Sequence, residues 1–324
     1  MKILIATKLN EAQLDRIRAA AKGCEVVVAT SREELLQEVE DAEVLLEGIN
    51  PEVFRHAKKL KWVQVGSAGV DGMLTPEFVE SDVILTSAKG CVGPHLAEQA
   101  FANLLALTRG VAQAVRAQSW EVKWSIRHAA WELTGLTMGI VGLGGTGREV
   151  AVRAAAFGMR NIAVDPEKVP KPDCVEALWT LTFPTRPAEP DDPLGRLLEQ
   201  SDVVCICAPL TQETRGIFNL DAFRRMKRTA ILVNVTRGQI VDEESLVTAL
   251  RDGLIAGAAL DVTPLEPLPP NHPLWTMPNV VITPHVAGAS PLRVERLVDL
   301  FSENLRRFLR GEAMLSVIDK RKGY

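Results

Sequence analysis

The stretch Leu136-Thr137-Met138-Gly139-Ile140-Val141-Gly142-Leu143-Gly144-Gly145-Thr146-Gly147 decides the fold. Its first half is a short apolar run of the kind that forms a buried strand, and residues 148–157 then repeat apolar positions at helical spacing. A strand, a Gly-x-Gly-x-x-Gly turn and a helix in that order form a dinucleotide-binding unit. The glycines let the backbone turn tightly and approach a pyrophosphate, whose charge meets the helix N-terminus. Gly142, Gly144, Gly145, Thr146 and Gly147 are therefore expected at the cofactor. The next strand, Ile162-Ala163-Val164-Asp165, ends in an acid suited to accept hydrogen bonds from ribose hydroxyls. A 2'-phosphate would meet like charge there, so NAD is expected over NADP, although Lys168 and Lys171 follow closely. The other reading of Asp165 is a turn residue before Pro166.

Outward from this turn, strand-like runs alternate with helical segments as far as residue 283. They predict six parallel strands: 137–141, 162–165, 203–207, 230–234, 255–260 and 280–282. Residues 166–193 contain seven prolines and little periodicity, which predicts an irregular surface segment. Upstream, the same rhythm runs from Ile3 to Leu85, with a glycine-rich turn, Gly66-Ser67-Ala68-Gly69-Val70-Asp71-Gly72, after the apolar run Trp62-Val63-Gln64-Val65. Residues 96–117 read as one helix of about six turns linking two domains. Residues 292–309 read as a helix that returns to the first domain.

With 324 residues, 47% of them hydrophobic, and a formal net charge of −4, the chain suits two globular domains and offers no basic field for nucleic acid or anionic membranes. No apolar run reaches the roughly 18 residues of a membrane span, and Met1–Lys8 is too short for a signal peptide. The expected location is cytoplasmic. Five scattered cysteines suggest reduced thiols, with Cys205 and Cys207 filling one strand face. No metal site is expected.

Three segments each place a functional side chain just past an apolar strand: Arg237 in Asn234-Val235-Thr236-Arg237-Gly238, Glu266 in Asp261-Val262-Thr263-Pro264-Leu265-Glu266-Pro267, and His285 in Thr283-Pro284-His285-Val286-Ala287-Gly288. In a parallel sheet all three gather at one edge. Together with Leu96-Ala97-Glu98, Pro209-Leu210-Thr211 and Thr214, Gly257-Ala258-Ala259-Leu260-Asp261-Val262 and His272-Pro273-Leu274-Trp275, they resemble the D-isomer-specific 2-hydroxyacid dehydrogenase family over almost the whole chain.

That resemblance implies an α/β architecture of two doubly wound parallel-sheet domains. A Rossmann NAD-binding domain, residues 99–285, would be inserted into a smaller flavodoxin-like substrate domain, residues 1–98 plus 286–324. It also implies a homodimer through the 96–117 region. His285 would be the general acid and base at the 2-oxo carbon, with Glu266 orienting and tuning it. Arg237 would hold the substrate carboxylate through its rigid fork of donors. The backbone amides of Ala68, Gly69 and Val70 would complete the carboxylate site. Pro209, Thr214, Val235, Thr236, Asp261 and Gly288 would join the cofactor site, with Asp261 facing the nicotinamide carboxamide.

Residues at particular positions narrow the expected substrate. Members acting on formate carry glutamine at the position of Glu266, those acting on phosphite a lysine at Ala68, and those acting on phosphoglycerate an arginine just before the loop. An uncharged Ser67-Ala68-Gly69 loop suggests a 2-oxo acid without a phosphate, with Lys89, Arg127 and Arg293 as further sources of charge. The segment Gly90-Cys91-Val92-Gly93 lacks an asparagine common in the family. The competing reading is an NAD(H)-sensing regulator on the same scaffold, in which an acid and its carboxylate partner have no chemical task.

Overall fold

The computed structural model describes residues 1–187 and 189–324. They form two compact units: Met1–Val92 with Ser290–Tyr324, and Gly93–Ala289, inserted between those two pieces.

The first unit is built on five parallel strands, β1 (Lys2–Ile5), β2 (Glu25–Val28), β3 (Val44–Leu46), β4 (Trp62–Gln64) and β5 (Ile84–Thr86), in the order β2-β1-β3-β4-β5. This is the flavodoxin-like doubly wound order. The helix Arg293–Arg310 closes one face. It pairs with the helix Glu11–Ala20 through Gln13 and Glu295 at 2.6 Å and Arg16 and Asp299 at 2.8 Å, and its Phe301 stacks on Trp62 with ring centroids 5.0 Å apart. Beneath it the buried Thr86 hydroxyl donates to Gln64 Oε1 at 2.7 Å, and Asn304 donates to the same oxygen at 3.3 Å. Satisfied polar groups in an apolar layer fix how the helix lies on the sheet.

The second unit carries β6 (Thr137–Val141), β7 (Arg160–Asp165), β8 (Ala177–Thr180), β9 (Val203–Ile206), β10 (Ile231–Asn234), β11 (Gly257–Leu260) and β12 (Val280–Ile282), all parallel, in the order β12-β11-β10-β9-β6-β7-β8. The runs at β6, β9, β10 and β11 are buried throughout, as expected where helices cover both faces. The strand order reverses between β6 and β9, which creates the crevice of a doubly wound sheet.

Two expectations are corrected. The sheet has seven strands, because the proline-rich stretch contains β8, which pairs with β7 from Ile162–Ala177 to Asp165–Thr180. The prolines flank β8, and residues 173–183 contain none, so its ladder is complete. The segment expected to be one long helix is two, Gly93–Thr108 and Val111–Ala117. They meet at Gly110, which is left-handed at φ 69° with Ile126 packed against it.

All five cysteines are free, with the Sγ atoms of Cys205 and Cys207 3.7 Å apart. Among the described residues no helix is long and apolar enough to cross a membrane, and no cluster of His, Cys, Asp or Glu could hold a metal ion.

Candidate active site

The glycine turn leaves β6 beside the end of β9. Gly142 has φ 95°, and a Cβ on it would lie 2.9 Å from the Ala208 amide nitrogen. A side chain is thus barred twice, by conformation and by close approach. The following helix, Gly145–Ala156, begins right after its N-cap Gly144, earlier than the periodicity predicts, because Gly145, Thr146 and Gly147 themselves form its first turn. No side chain caps it and no acid stands in that turn, so its first amides are available to an anion.

Asp165 ends β7 almost fully buried. Its Oδ2 accepts from the Leu143 amide at 2.7 Å and its Oδ1 from the Glu167 amide at 2.9 Å. It therefore organises both the glycine turn and the turn at Pro166, and each oxygen keeps a lone pair for a further donor. Lys171 is turned away, its ammonium donating to the Val175 carbonyl at 2.6 Å, and Lys168 is exposed. After β9, Thr214 is buried and donates to the Pro209 carbonyl at 2.7 Å, which fixes that turn.

The adjacent strands β10, β11 and β12 carry the other three groups. Arg237 follows β10 and donates to the Thr236 carbonyl at 2.9 Å, while Thr236 leans on Asn234. The Val235 side chain is in the core, so only its backbone can meet a ligand. Gly238 packs against the Thr263–Pro264 backbone so closely that a Cβ would lie 1.9 Å from the Thr263 carbonyl carbon, and Gln239 donates to the Pro264 carbonyl at 3.0 Å. The arginine turn and the glutamate loop are locked together by these contacts.

Glu266 Oε1 accepts from the Thr263 amide at 3.0 Å, and Oε2 lies 2.7 Å from His285 Nδ1. A carboxylate can only accept, so Nδ1 carries the proton and Nε2 is the exchangeable position. His285 is left-handed at φ 52°, unusual for a residue with a side chain. Asp261 stands beneath it, its carboxylate accepting from the Thr283 hydroxyl and the Val286 and Ala287 amides at 2.6, 3.1 and 2.8 Å. The sequence motif marked Asp261 as a cofactor residue and did not reveal this second task, which depends on how the chain turns after β12. Gly288 follows with open space around its Cα.

In the first unit, the loop after β4 holds Ala68, Gly69 and Val70. Ser67 closes it by donating to the Gly69 carbonyl at 2.8 Å. Among the described residues, the amides of Ala68, Gly69 and Val70 donate no backbone hydrogen bond. Arg293 does not face outward as a spare charge, since its Nη2 and Nε donate to the Gly66 carbonyl at 2.9 and 3.2 Å. Lys89 lies over the Tyr324 ring and Arg127 over the Trp124 ring. Glu47, not singled out by the sequence, follows β3 in a left-handed conformation at φ 65° beside Gly66. Burial pushes its carboxyl pKa up, against the pull of the Gly66 amide and Arg293.

The remaining histidines fall outside this group. His95 is buried in its helix and His128 stacks on Trp124, while His56 and His272 bind Glu52 and Glu243.

Comparison with known proteins agrees with this geometry. Residues 101–287 match the family described as D-isomer specific 2-hydroxyacid dehydrogenase, NAD binding domain. A glyoxylate reductase of Thermofilum pendens is 38% identical over 311 residues, covering 92% of this chain and 89% of the relative. Among solved structures, an NADPH-dependent glyoxylate/hydroxypyruvate reductase from Sinorhizobium meliloti, in complex with NADP and sulfate, superposes with a TM-score of 0.79 at 28% identity, covering 100% of this chain and 99% of that one. An NAD-dependent formate dehydrogenase from Staphylococcus aureus, in complex with NAD, does so with a TM-score of 0.73 at 26% identity, covering 98% and 99%. Sequence match, two parallel-sheet units and a strand-end edge bearing arginine, glutamate and histidine agree: the chain belongs to the D-isomer-specific 2-hydroxyacid dehydrogenase family and is an oxidoreductase that binds a nicotinamide nucleotide.

Proposed function

We propose that this chain reduces a small 2-oxo acid, such as glyoxylate or hydroxypyruvate, to the D-2-hydroxy acid with NADH. The observation that carries the reading is the Glu266–His285 pair at 2.7 Å, on the strand-end edge that also carries Arg237 and the glycine turn. The nicotinamide supplies the hydride when bound. Gly142 to Gly147 and the helix they open would hold its pyrophosphate, Asp165 its adenosine ribose, and the turns at Pro209, Thr214, Val235, Thr236, Asp261 and Gly288 the remainder.

His285 Nε2 delivers a proton to the carbonyl oxygen of the substrate and takes it back in the reverse direction. Glu266 holds Nδ1–H, which fixes the tautomer and the ring plane. Arg237 grips the substrate carboxylate and draws charge towards the carbonyl oxygen. The loop amides of Ala68, Gly69 and Val70, which among the described residues donate no backbone hydrogen bond, are suited to a carboxylate. NADH is preferred because the Asp165 carboxylate, held by two backbone amides, would repel a 2'-phosphate.

A homodimer is part of the proposal. Val111 and Val115 in the predicted 96–117 region and the nearby Trp120 and Trp124 are exposed, with Trp120 88% accessible, an apolar surface suited to a second copy of the chain. Sedimentation should give twice the chain mass; a monomer at micromolar concentration would remove this part.

The decisive assay follows NADH and NADPH oxidation with glyoxylate, hydroxypyruvate, pyruvate and phenylpyruvate. Turnover with at least one acid and a higher kcat/KM for NADH are expected. Tight NADH binding with no acid reduced would instead favour a nucleotide sensor.

A further inference from the structure

His285 keeps a backbone conformation that side-chain-bearing residues rarely adopt, and such a residue at a reactive position is held by its surroundings. The restraint can be followed bond by bond. The His285 amide donates to the Asp261 carbonyl at 2.8 Å, and the next two amides donate to the Asp261 carboxylate. The Thr283 hydroxyl, 2.6 Å from Asp261 Oδ1, supplies the third hydrogen bond to that carboxylate. Asn103 Nδ2 and Gln99 Nε2, both on the helix Gly93–Thr108, donate to the Thr283 oxygen at 2.9 and 3.1 Å.

A hydroxyl has one proton and two lone pairs. Two amide donors occupy both lone pairs, so the single proton of Thr283 has one direction left, towards Asp261. Asp261, 1% accessible, and Asn103, 3% accessible, are buried, and Thr283 and Gln99 are half-buried. In such surroundings each bond is strong, and an unpaired member is costly. Asn103 also reaches the Leu260 carbonyl at 3.4 Å, so the same helix braces the last residue of β11 and the residue that follows β12.

We infer that Thr283, oriented by Gln99 and Asn103, is a positioning residue for His285: through Asp261 it holds the histidine in its left-handed turn with Nδ1 on Glu266 and Nε2 free to exchange a proton. This rests on the reading of His285 as the acid and base of the reaction. Helical Gln99 and Asn103 would otherwise be ordinary polar residues of an amphipathic helix. Their convergence on one hydroxyl distinguishes them.

Thr283→Val removes the hydroxyl at nearly constant volume, and Thr283→Ser restores it. Both would be compared with wild type and His285→Ala, using NADH and NADH deuterated at the transferred position, with glyoxylate as substrate. A misplaced proton donor slows the chemical step, so Thr283→Val should lose about tenfold or more in kcat. Its deuterium isotope effect on kcat should rise, its Kd for NADH should change less than kcat, and Thr283→Ser should recover most of the rate. A merely structural threonine would lower the melting temperature without raising the isotope effect.

Wild-type kcat and isotope effect in Thr283→Val, beside an inactive His285→Ala, overturn the inference and leave the acid–base reading intact. An active His285→Ala overturns that reading itself. A loss confined to NADH affinity assigns Thr283 to the cofactor and also overturns the inference. Should Thr283→Val fail to fold, Asn103→Leu decides: a lower kcat with a raised isotope effect supports the inference, and unchanged values refute it.

Discussion

In the second unit, Asp165, Arg237, Asp261, Glu266 and His285 each stand at or a few residues beyond the end of a parallel strand, with their side chains forming the edge. The edge of the first unit is built differently. After β4 it presents the backbone of Ala68, Gly69 and Val70, and its two nearby charges, Glu47 and Arg293, are turned onto Gly66. Both sheets follow the doubly wound plan, whose strand ends are where ligands bind. One edge presents chosen side chains and the other amides that every residue but proline possesses. Substitution should therefore be severe on one edge and mild on the other.

The largest effect expected is at His285. His285→Ala should lower kcat about 10²- to 10⁴-fold, the usual contribution of a positioned acid or base, with NADH affinity retained. A variant within tenfold of wild type would break the contrast at its strongest point. Next comes Arg237: Arg237→Ala should lower kcat/KM for the oxo acid about 10- to 100-fold, the range expected for charge-assisted hydrogen bonds. Most of that loss should appear in KM, and Arg237→Lys should recover little, because an ammonium lacks the bidentate fork. A lysine variant with normal kinetics would reduce Arg237 to a point charge.

At Asp165 the expected effect is smaller and mixed. Asp165→Ala should cut the preference for NADH over NADPH about tenfold and also weaken NADH binding, since the Leu143 and Glu167 amides lose their acceptor. An unchanged cofactor ratio would leave Asp165 as a turn residue alone.

The first edge supplies the smallest effect. Burial raises the Glu47 carboxyl pKa in the folded state, so between the unfolded and folded pKa values the native chain binds more protons than the unfolded one. Stability from this group is full below the unfolded pKa and is lost as pH rises through the folded one. Glu47→Gln should therefore gain melting temperature relative to wild type as pH rises from acid towards neutral, with kcat little changed. A gap that narrows with rising pH would reverse the assignment.

Much of the second unit could be read directly from sequence, because its decisive residues are rare types in fixed contexts. The glycine turn between strand and helix, the acid at Asp165, and the arginine, glutamate and histidine beyond their strands each carry a local signal. Where tertiary packing decides, the sequence is silent. The packing of Ile126 against Gly110 and the pairing of β8 with β7 are contacts of this kind. Apolar periodicity cannot reveal that Gly145 to Gly147 already belong to the helix, since none of them is apolar. The second role of Asp261 depends on how the chain turns after β12, and the convergence of Gln99 and Asn103 on Thr283 joins residues more than 150 positions apart. The charges at Lys89, Arg127 and Arg293 illustrate the converse: sequence supplied candidates, and packing adds where they lie, over Tyr324, over Trp124 and on Gly66.

The most direct test of the account is the fate of hydrogen in one turnover. With hydroxypyruvate and NADH deuterated at the transferred position, the purified chain should yield D-glycerate carrying a single deuterium at C2, and His285→Ala should yield almost none. Unlabelled product, the L-isomer, or equal yield from the histidine variant would contradict it.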